Sequence, residues 1–188
     1  MKKLFGIIGN PIKHSLSPVL HNYWLKKYKV EGNYSILEIE EANLINITKK
    51  IRDGSLAGVN ITLPYKQKII THIDKIVNDA EKTGSVNTLL PGGSTQVIGE
   101  NTDVFGLQAA YLKEVDNGSK KKALVIGAGG VSPSVILSLQ KSGIKQISIT
   151  NRTNEKCLFI KKKFNYLSVI PWKSLEVEIS NFDLIINA

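Results

Sequence analysis

Ala123-Leu124-Val125-Ile126-Gly127-Ala128-Gly129-Gly130 is a short apolar run that breaks into glycines, followed by a helix-length stretch from Ser132-Pro133 onward. The apolar residues read as a buried strand and the glycines as a strand-to-helix turn. Glycine there permits a tight reversal and a close backbone approach, and the N-terminus of the next helix offers unpaired N–H groups and partial positive charge to a pyrophosphate. Gly127, Ala128, Gly129, Gly130 and Val131 are therefore the candidate dinucleotide-binding turn. Ser132 stands where a third glycine is usual, so the pattern is a variant. A turn that only packs helix on strand is the plain alternative.

The next strand ends in Thr150-Asn151-Arg152-Thr153, with Lys156 one turn further on. An NAD site places an acid about twenty residues beyond the glycines to bond the ribose 2′-hydroxyl. Here the first acid is Glu155, and an arginine and a lysine stand where a 2′-phosphate would sit. Asn151, Arg152, Thr153 and Lys156 thus favour NADP (NADPH) over NAD. An arginine merely solvated at a helix start is the competing reading. Strands at 123–126, 147–150 and 167–170, with an apolar run at 184–186, alternate with helical spacing. They define a Rossmann-type unit over 103–188, opened by a bridging helix at 103–116 and a surface connection at Asp116-Asn117-Gly118-Ser119.

Upstream, the same α/β alternation predicts a separate unit over 1–102. Its strands fall at 4–8, 34–39, 58–63, 86–90 and 96–99, with a turn at Pro91-Gly92-Gly93-Ser94. One helix opens at Ser17-Pro18, with Ser17 as N-cap and Leu20, Tyr23 and Trp24 on a buried face; a second spans 41–52 through Leu44, Ile47 and Ile51, and a third follows Pro64. Polar residues interrupt this apolar pattern. In Gly58-Val59-Asn60-Ile61-Thr62-Leu63-Pro64-Tyr65-Lys66, strand periodicity sets Asn60 and Thr62 opposite Val59 and Ile61, and Thr62 and Lys66 fall at the carboxyl end, where open α/β sheets bind ligands. Asn87 is a poor strand former inside an apolar run. Local explanations compete: Thr62 as a cap, Lys66 as a solvated residue, Asp103 as a partner for a helix dipole.

Composition narrows the function classes. Apolar residues at 42% and charged residues at 22% of 188 are ordinary globular values, and no apolar run is long enough to span a membrane. The single cysteine, Cys157, has no partner for a disulfide and no Cys or His neighbour at metal-ligand spacing, which predicts no metal and a cytoplasmic setting. The net charge of +9 invites a nucleic-acid reading, but the runs at Lys26-Lys27, Lys49-Lys50, 120–122 and 161–163 are scattered and lack interleaved aromatics. Solvated faces explain them better, and the positive field would gather an anionic substrate.

Taken together these blocks resemble the shikimate dehydrogenase family, from Gly9 to the last residue and in the family's order. Gly9-Asn10-Pro11-Ile12-Lys13-His14-Ser15-Leu16-Ser17-Pro18 looks like the family's substrate-carboxylate loop, which implies that Ser15 and Ser17 hold the carboxylate. The block from Asn60 to Lys66 matches the catalytic-lysine motif, which brings Thr62 into the substrate set and makes Lys66 and Asp103 the catalytic pair. Asn87 and Asp103 fall on the ring-hydroxyl contacts, and Asn151-Arg152-Thr153 on the NADP-specifying turn. The resemblance implies NADPH-dependent reduction of 3-dehydroshikimate to shikimate, in aromatic amino-acid and chorismate biosynthesis, and leaves a homodimer open. A catabolic quinate/shikimate dehydrogenase and a non-catalytic binding module derived from the family are the alternatives. The family continues through a nicotinamide-side loop and a substrate-binding glutamine, then returns a helix to the substrate domain, whereas this chain stops at Asn187-Ala188. The implied fold is an N-terminal α/β substrate domain plus a Rossmann-type dinucleotide-binding domain truncated at its C-terminal end.

Overall fold

In the computed structural model the chain folds into two compact units, Met1–Asn101 and Thr102–Ala188. The structure describes residues 2–93, 95–113 and 121–188, so the connection expected at Asp116-Asn117-Gly118-Ser119, the end of the bridging helix and Ser94 of the expected turn lie outside the described residues. Among the described residues no helix is long and apolar enough to cross a membrane.

In the first unit, β1 (Lys3–Gly9) lies between β2 (Gly32–Glu38) and β3 (Gly58–Ile61), parallel to both. Beyond β3 the sheet turns antiparallel through β5 (Thr88–Gly92) and β6 (Gln96–Glu100), and β4 (Lys75–Ile76) closes the order β2-β1-β3-β5-β6-β4. Strand alternation sorts the core into two faces. Ile8, Val59, Ile61 and Leu89 pack with Leu44, Ile47 and Ile51 of α2 (Leu44–Arg52), while Ile7 and Tyr34 pack with Ile12 and the half-buried Leu25 of α1 (Ser17–Lys27). The third expected helix is instead a 3₁₀ turn at Lys68–His72 and a short α3 (Asp79–Thr83).

Two sequence expectations for α1 fail. Leu20, Tyr23 and Trp24 are 47%, 59% and 43% exposed, and no residue of the helix is fully buried. The helix meets the sheet through the half-buried Pro18, His21, Asn22 and Leu25, a stripe of helical period set two positions away from the apolar one. Polar contacts hold it there: the Asn22 side-chain amide donates to Tyr34 O at 2.8 Å, and Tyr34 N–H donates to Asn22 Oδ1 at 2.9 Å. Ser17 is not the N-cap either, because the helix already includes it and no side chain caps the turn. Ser15 Oγ accepts the Ser17 N–H at 3.3 Å instead.

The second unit opens with α4 (Asp103–Leu107), continued as a π-turn over Gln108–Leu112. Four parallel strands, β7 (Lys122–Ile126), β8 (Gln146–Thr150), β9 (Ser168–Val169) and β10 (Leu184–Asn187), stand in the order β10-β7-β8-β9. α5 (Ser132–Lys141) and α6 (Asn154–Lys163) make the crossovers, and α5 is buried from Ser132 through Leu139. A short α7 (Leu175–Glu178) precedes β10. The chain steps outward from β7 to β8 and β9, then returns to the other side of β7, so the strand order reverses at the β7/β10 boundary. Such a reversal opens the crevice in which doubly wound sheets bind ligands.

Candidate active site

Three segments of the first unit converge at the carboxyl ends of β1 and β3. Thr62 N–H donates to Ile8 O at 2.9 Å, and Asn10 N–H donates to Leu63 O at 3.2 Å, so the loop after β1 is stitched to the loop after β3. Gly9 permits that approach: a Cβ there would lie 2.6 Å from the Thr62 methyl and 2.9 Å from Leu63 O. The third segment joins through Val86 N–H donating to Lys66 O and Ile61 N–H donating to Asn87 O, each at 2.8 Å. Tyr65 pins the middle loop, because its buried ring sends the hydroxyl to Ile39 O at 2.7 Å and leaves the adjacent Lys66 half-exposed. Ser15, Ser17, Thr62 and Lys66 are half-exposed and Asn87 is buried, all on these segments.

The strands end earlier than sequence periodicity suggests, β3 at Ile61 and β5 beginning only at Thr88, so Thr62 and Asn87 stand on loops. Asn87 therefore does not strain a strand. Its N–H donates to Glu100 O at 3.0 Å and its side-chain oxygen accepts from Thr88 Oγ at 3.0 Å. Asn60 is the residue the sequence reading noticed without giving a role. Its carbonyl accepts the Tyr34 hydroxyl at 2.7 Å and its amide donates to Thr88 Oγ at 3.1 Å. Nothing in the sequence marks Tyr34, an ordinary strand residue by type.

In the second unit the glycine turn has the form a dinucleotide needs. Gly127 has φ +116°, and a Cβ on it would lie 1.9 Å from Ala188 O, so no side chain fits. Gly129 faces open space, which leaves room for a ligand to approach the backbone. Ser132, where a third glycine was expected, is fully buried and donates to Gly127 O at 3.1 Å. The variant thus keeps close helix packing and adds a bond that holds the turn. Asn151 donates to Thr153 O at 2.9 Å, folding the turn after β8 so that Arg152 and Lys156 stay exposed beside the start of α6. Among the described residues Arg152 forms no ion pair. Asp103 is the first residue of α4 and lines an open pocket of about 510 Å³ with Val131, Ser134, Ile186 and Asn187, at the β7/β10 reversal. These residues fit a dinucleotide bearing a 2′-phosphate.

Comparison with known proteins bears on both units. A family model described as the shikimate dehydrogenase substrate binding domain matches residues 7–89, and one described as shikimate / quinate 5-dehydrogenase matches residues 110–188. The shikimate dehydrogenase (NADP(+)) of Pelagibacter ubique is 43% identical over 188 residues, covering 100% of this chain and 69% of that protein. Among solved structures, shikimate dehydrogenase from Aquifex aeolicus superposes with a TM-score of 0.90 at 34% identity, over 99% of this chain and 68% of that one. The Thermus thermophilus enzyme in complex with NADP(H) and shikimate gives 0.86 at 32%, over 99% and 68%. The chain therefore spans about two thirds of the length of the relatives it matches.

Proposed function

This chain belongs to the shikimate dehydrogenase family, and from that membership we propose that it reduces 3-dehydroshikimate to shikimate with NADPH, in aromatic amino-acid and chorismate biosynthesis. The observation that carries the reading is the stitching of the 9–17 loop, the 62–66 loop and Asn87 into one polar cluster at the carboxyl ends of β1 and β3. We assign residues 1–102 to substrate binding and 103–188 to the cofactor. Ser15 and Ser17 offer hydroxyl donors to the substrate carboxylate, and Thr62 and Asn87 bond ring hydroxyls. Lys66 donates the proton to the carbonyl oxygen as it becomes an alkoxide and stabilises the charge that develops there. Asp103 bonds a ring hydroxyl of the substrate. Arg152 and Lys156 pair with the 2′-phosphate, while the turn from Gly127 to Val131 presents backbone N–H groups at the start of α5 to the pyrophosphate. When bound, NADPH would supply the hydride. The buried Cys157, its thiol pKa raised by burial, suits a reducing cytoplasm.

The test is loss of NADPH absorbance with 3-dehydroshikimate, run beside the reverse reaction on shikimate and on quinate with NADP and with NAD. Turnover restricted to shikimate and NADP is the expected result. Preference for quinate with NAD would make the protein the catabolic type, and binding without turnover would make it a binding module.

A further inference from the structure

Resting on the substrate assignment above, we propose that Tyr34 is a positioning residue: its hydroxyl, acting through Asn60 and Thr88, sets the orientation of the Asn87 side chain that meets the substrate ring. The chain of bonds has one direction. Tyr34 donates to Asn60 Oδ1 at 2.7 Å, the Asn60 amide donates to Thr88 Oγ at 3.1 Å, and the Thr88 hydroxyl gives its single proton to Asn87 Oδ1 at 3.0 Å. Each link decides the next. Because an amide presents its oxygen on one side and its nitrogen on the other, a donor on Asn60 Oδ1 turns the Asn60 nitrogen toward Thr88. Thr88, having accepted, has its proton for Asn87, whose carbonyl is thereby fixed on the Thr88 side and its amide nitrogen on the other.

The start of the relay is unusually well held. The Tyr34 ring is 5% exposed and stacks on His21 with centroids 4.2 Å apart and planes 4° from parallel. Asn22 grips the Tyr34 backbone through both its N–H and its carbonyl. Burial raises the phenol pKa well above its ordinary value while the Ser17 side chain lowers it by a smaller amount, so the hydroxyl keeps its proton at any working pH. The Ser17 contact also places the relay beside the loop assigned to the carboxylate. A phenol locked by ring stacking and backbone clamps, with an unchanging proton, is suited to imposing one amide orientation on a site two residues away.

Tyr34→Phe keeps the stack and the apolar packing and deletes the first donor together with the Ser17 contact, so Thr88→Val, which leaves Ser17 untouched, separates the relay from that contact. Tyr34→Phe should raise KM for shikimate roughly three- to ten-fold, the factor one neutral hydrogen bond sustains. NADP KM should not move, and Tm should change little. Thr88→Val should act in the same way, Thr88→Ser should restore wild-type KM, and Tyr34→Phe/Thr88→Val should be no worse than the weaker single variant, because the links are in series. An unchanged shikimate KM in Tyr34→Phe, an equal rise in NADP KM, or effects that multiply in the double variant would overturn the relay. Should Tyr34→Phe not fold, Thr88→Val and Thr88→Ser decide alone. If the wild-type protein turns over neither shikimate nor quinate, the substrate assignment fails. The relay is then judged by the side-chain amide resonances of Asn60 and Asn87: both shifting in Tyr34→Phe supports it, and both staying put ends it.

Discussion

Arg152 stands exposed after β8 with no carboxylate among the described residues to take up its charge, so its guanidinium is available to an anion. A charge-assisted contact with a 2′-phosphate is worth about 1.5–3 kcal/mol, so Arg152→Ala should weaken NADP binding by roughly ten- to a hundred-fold while NAD binding barely changes. Equal losses would mean that Arg152 only adds to the general field. Lys66 stands next to the buried Tyr65 but is itself half-exposed, so it can be removed without opening the core. General acid catalysis is typically worth about 10²–10⁴ in rate, and Lys66→Ala should lower kcat by that much with near-normal substrate affinity. A rise in KM alone would make the lysine a binding group. His21 gives a pH dependence of known sign. Burial holds its imidazole below the ordinary 6.5, so between that lowered value and 6.5 the unfolded chain binds more protons than the folded one. Stability conferred by the neutral ring is therefore full above 6.5 and falls as pH drops through the window. A thermal midpoint that declines there in the wild type and stays flat in His21→Gln is the expected pair of curves; parallel curves would trace the decline to other groups.

At the scale of single elements, the turn between β7 and α5 tolerates change least. Gly127 combines φ +116° with a backbone oxygen in the place of a Cβ, so Gly127→Ala meets strain and a clash that no side-chain rotation relieves. It should destabilise the second unit by more than about 1 kcal/mol and abolish NADP binding, while shikimate binding by the first unit persists. Calorimetric titration with each ligand checks both halves of that expectation. This turn was also the most legible part of the sequence, because strand, glycines and helix each constrain the next. The α1 helix was the least legible. Its apolar residues Leu20, Tyr23 and Trp24 share a helical face, yet the buried side is chosen by Asn22 clamping the Tyr34 backbone, a long-range polar contact that periodicity does not register. The same limit hid the roles of Tyr34 and Thr88. A residue's type announces what bonds it makes, and only the paired strands β1, β2 and β3 show that Tyr34 and Asn60 reach across β1 to each other. Strand ends differ from the periodic pattern at Thr62 and Asn87 for a related reason: single backbone bonds to neighbouring strands, Thr62 N–H to Ile8 O and Asn87 N–H to Glu100 O, continue past the ends of the regular β3 and β5 strands.

Across the whole molecule, each unit closes its own sheet and fills its own core, Ile8, Leu44, Ile51 and Leu89 in the first, Val125, Ile136, Leu139 and Ile149 in the second. A unit with its own core can unfold by itself, and two such units in one chain need not melt in a single two-state step. Ligands then report which unit they hold, since binding to the folded form alone stabilises only the unit that binds. At a hundredfold excess over Kd the gain is about 2.7 kcal/mol. For a unit of fewer than about a hundred residues, each kcal/mol moves the midpoint by roughly 4–8 °C, so the expected displacement is on the order of 10–20 °C. Scanning calorimetry should therefore show two transitions, one raised chiefly by NADP and the other chiefly by shikimate. Arg152→Ala should shrink the first displacement to about half or less and keep the second, and Ser15→Ala should shrink the second and keep the first. A single transition displaced by both ligands would show that the two cores melt as one, and the assignment of each ligand to one unit would then have to be tested by the variants alone.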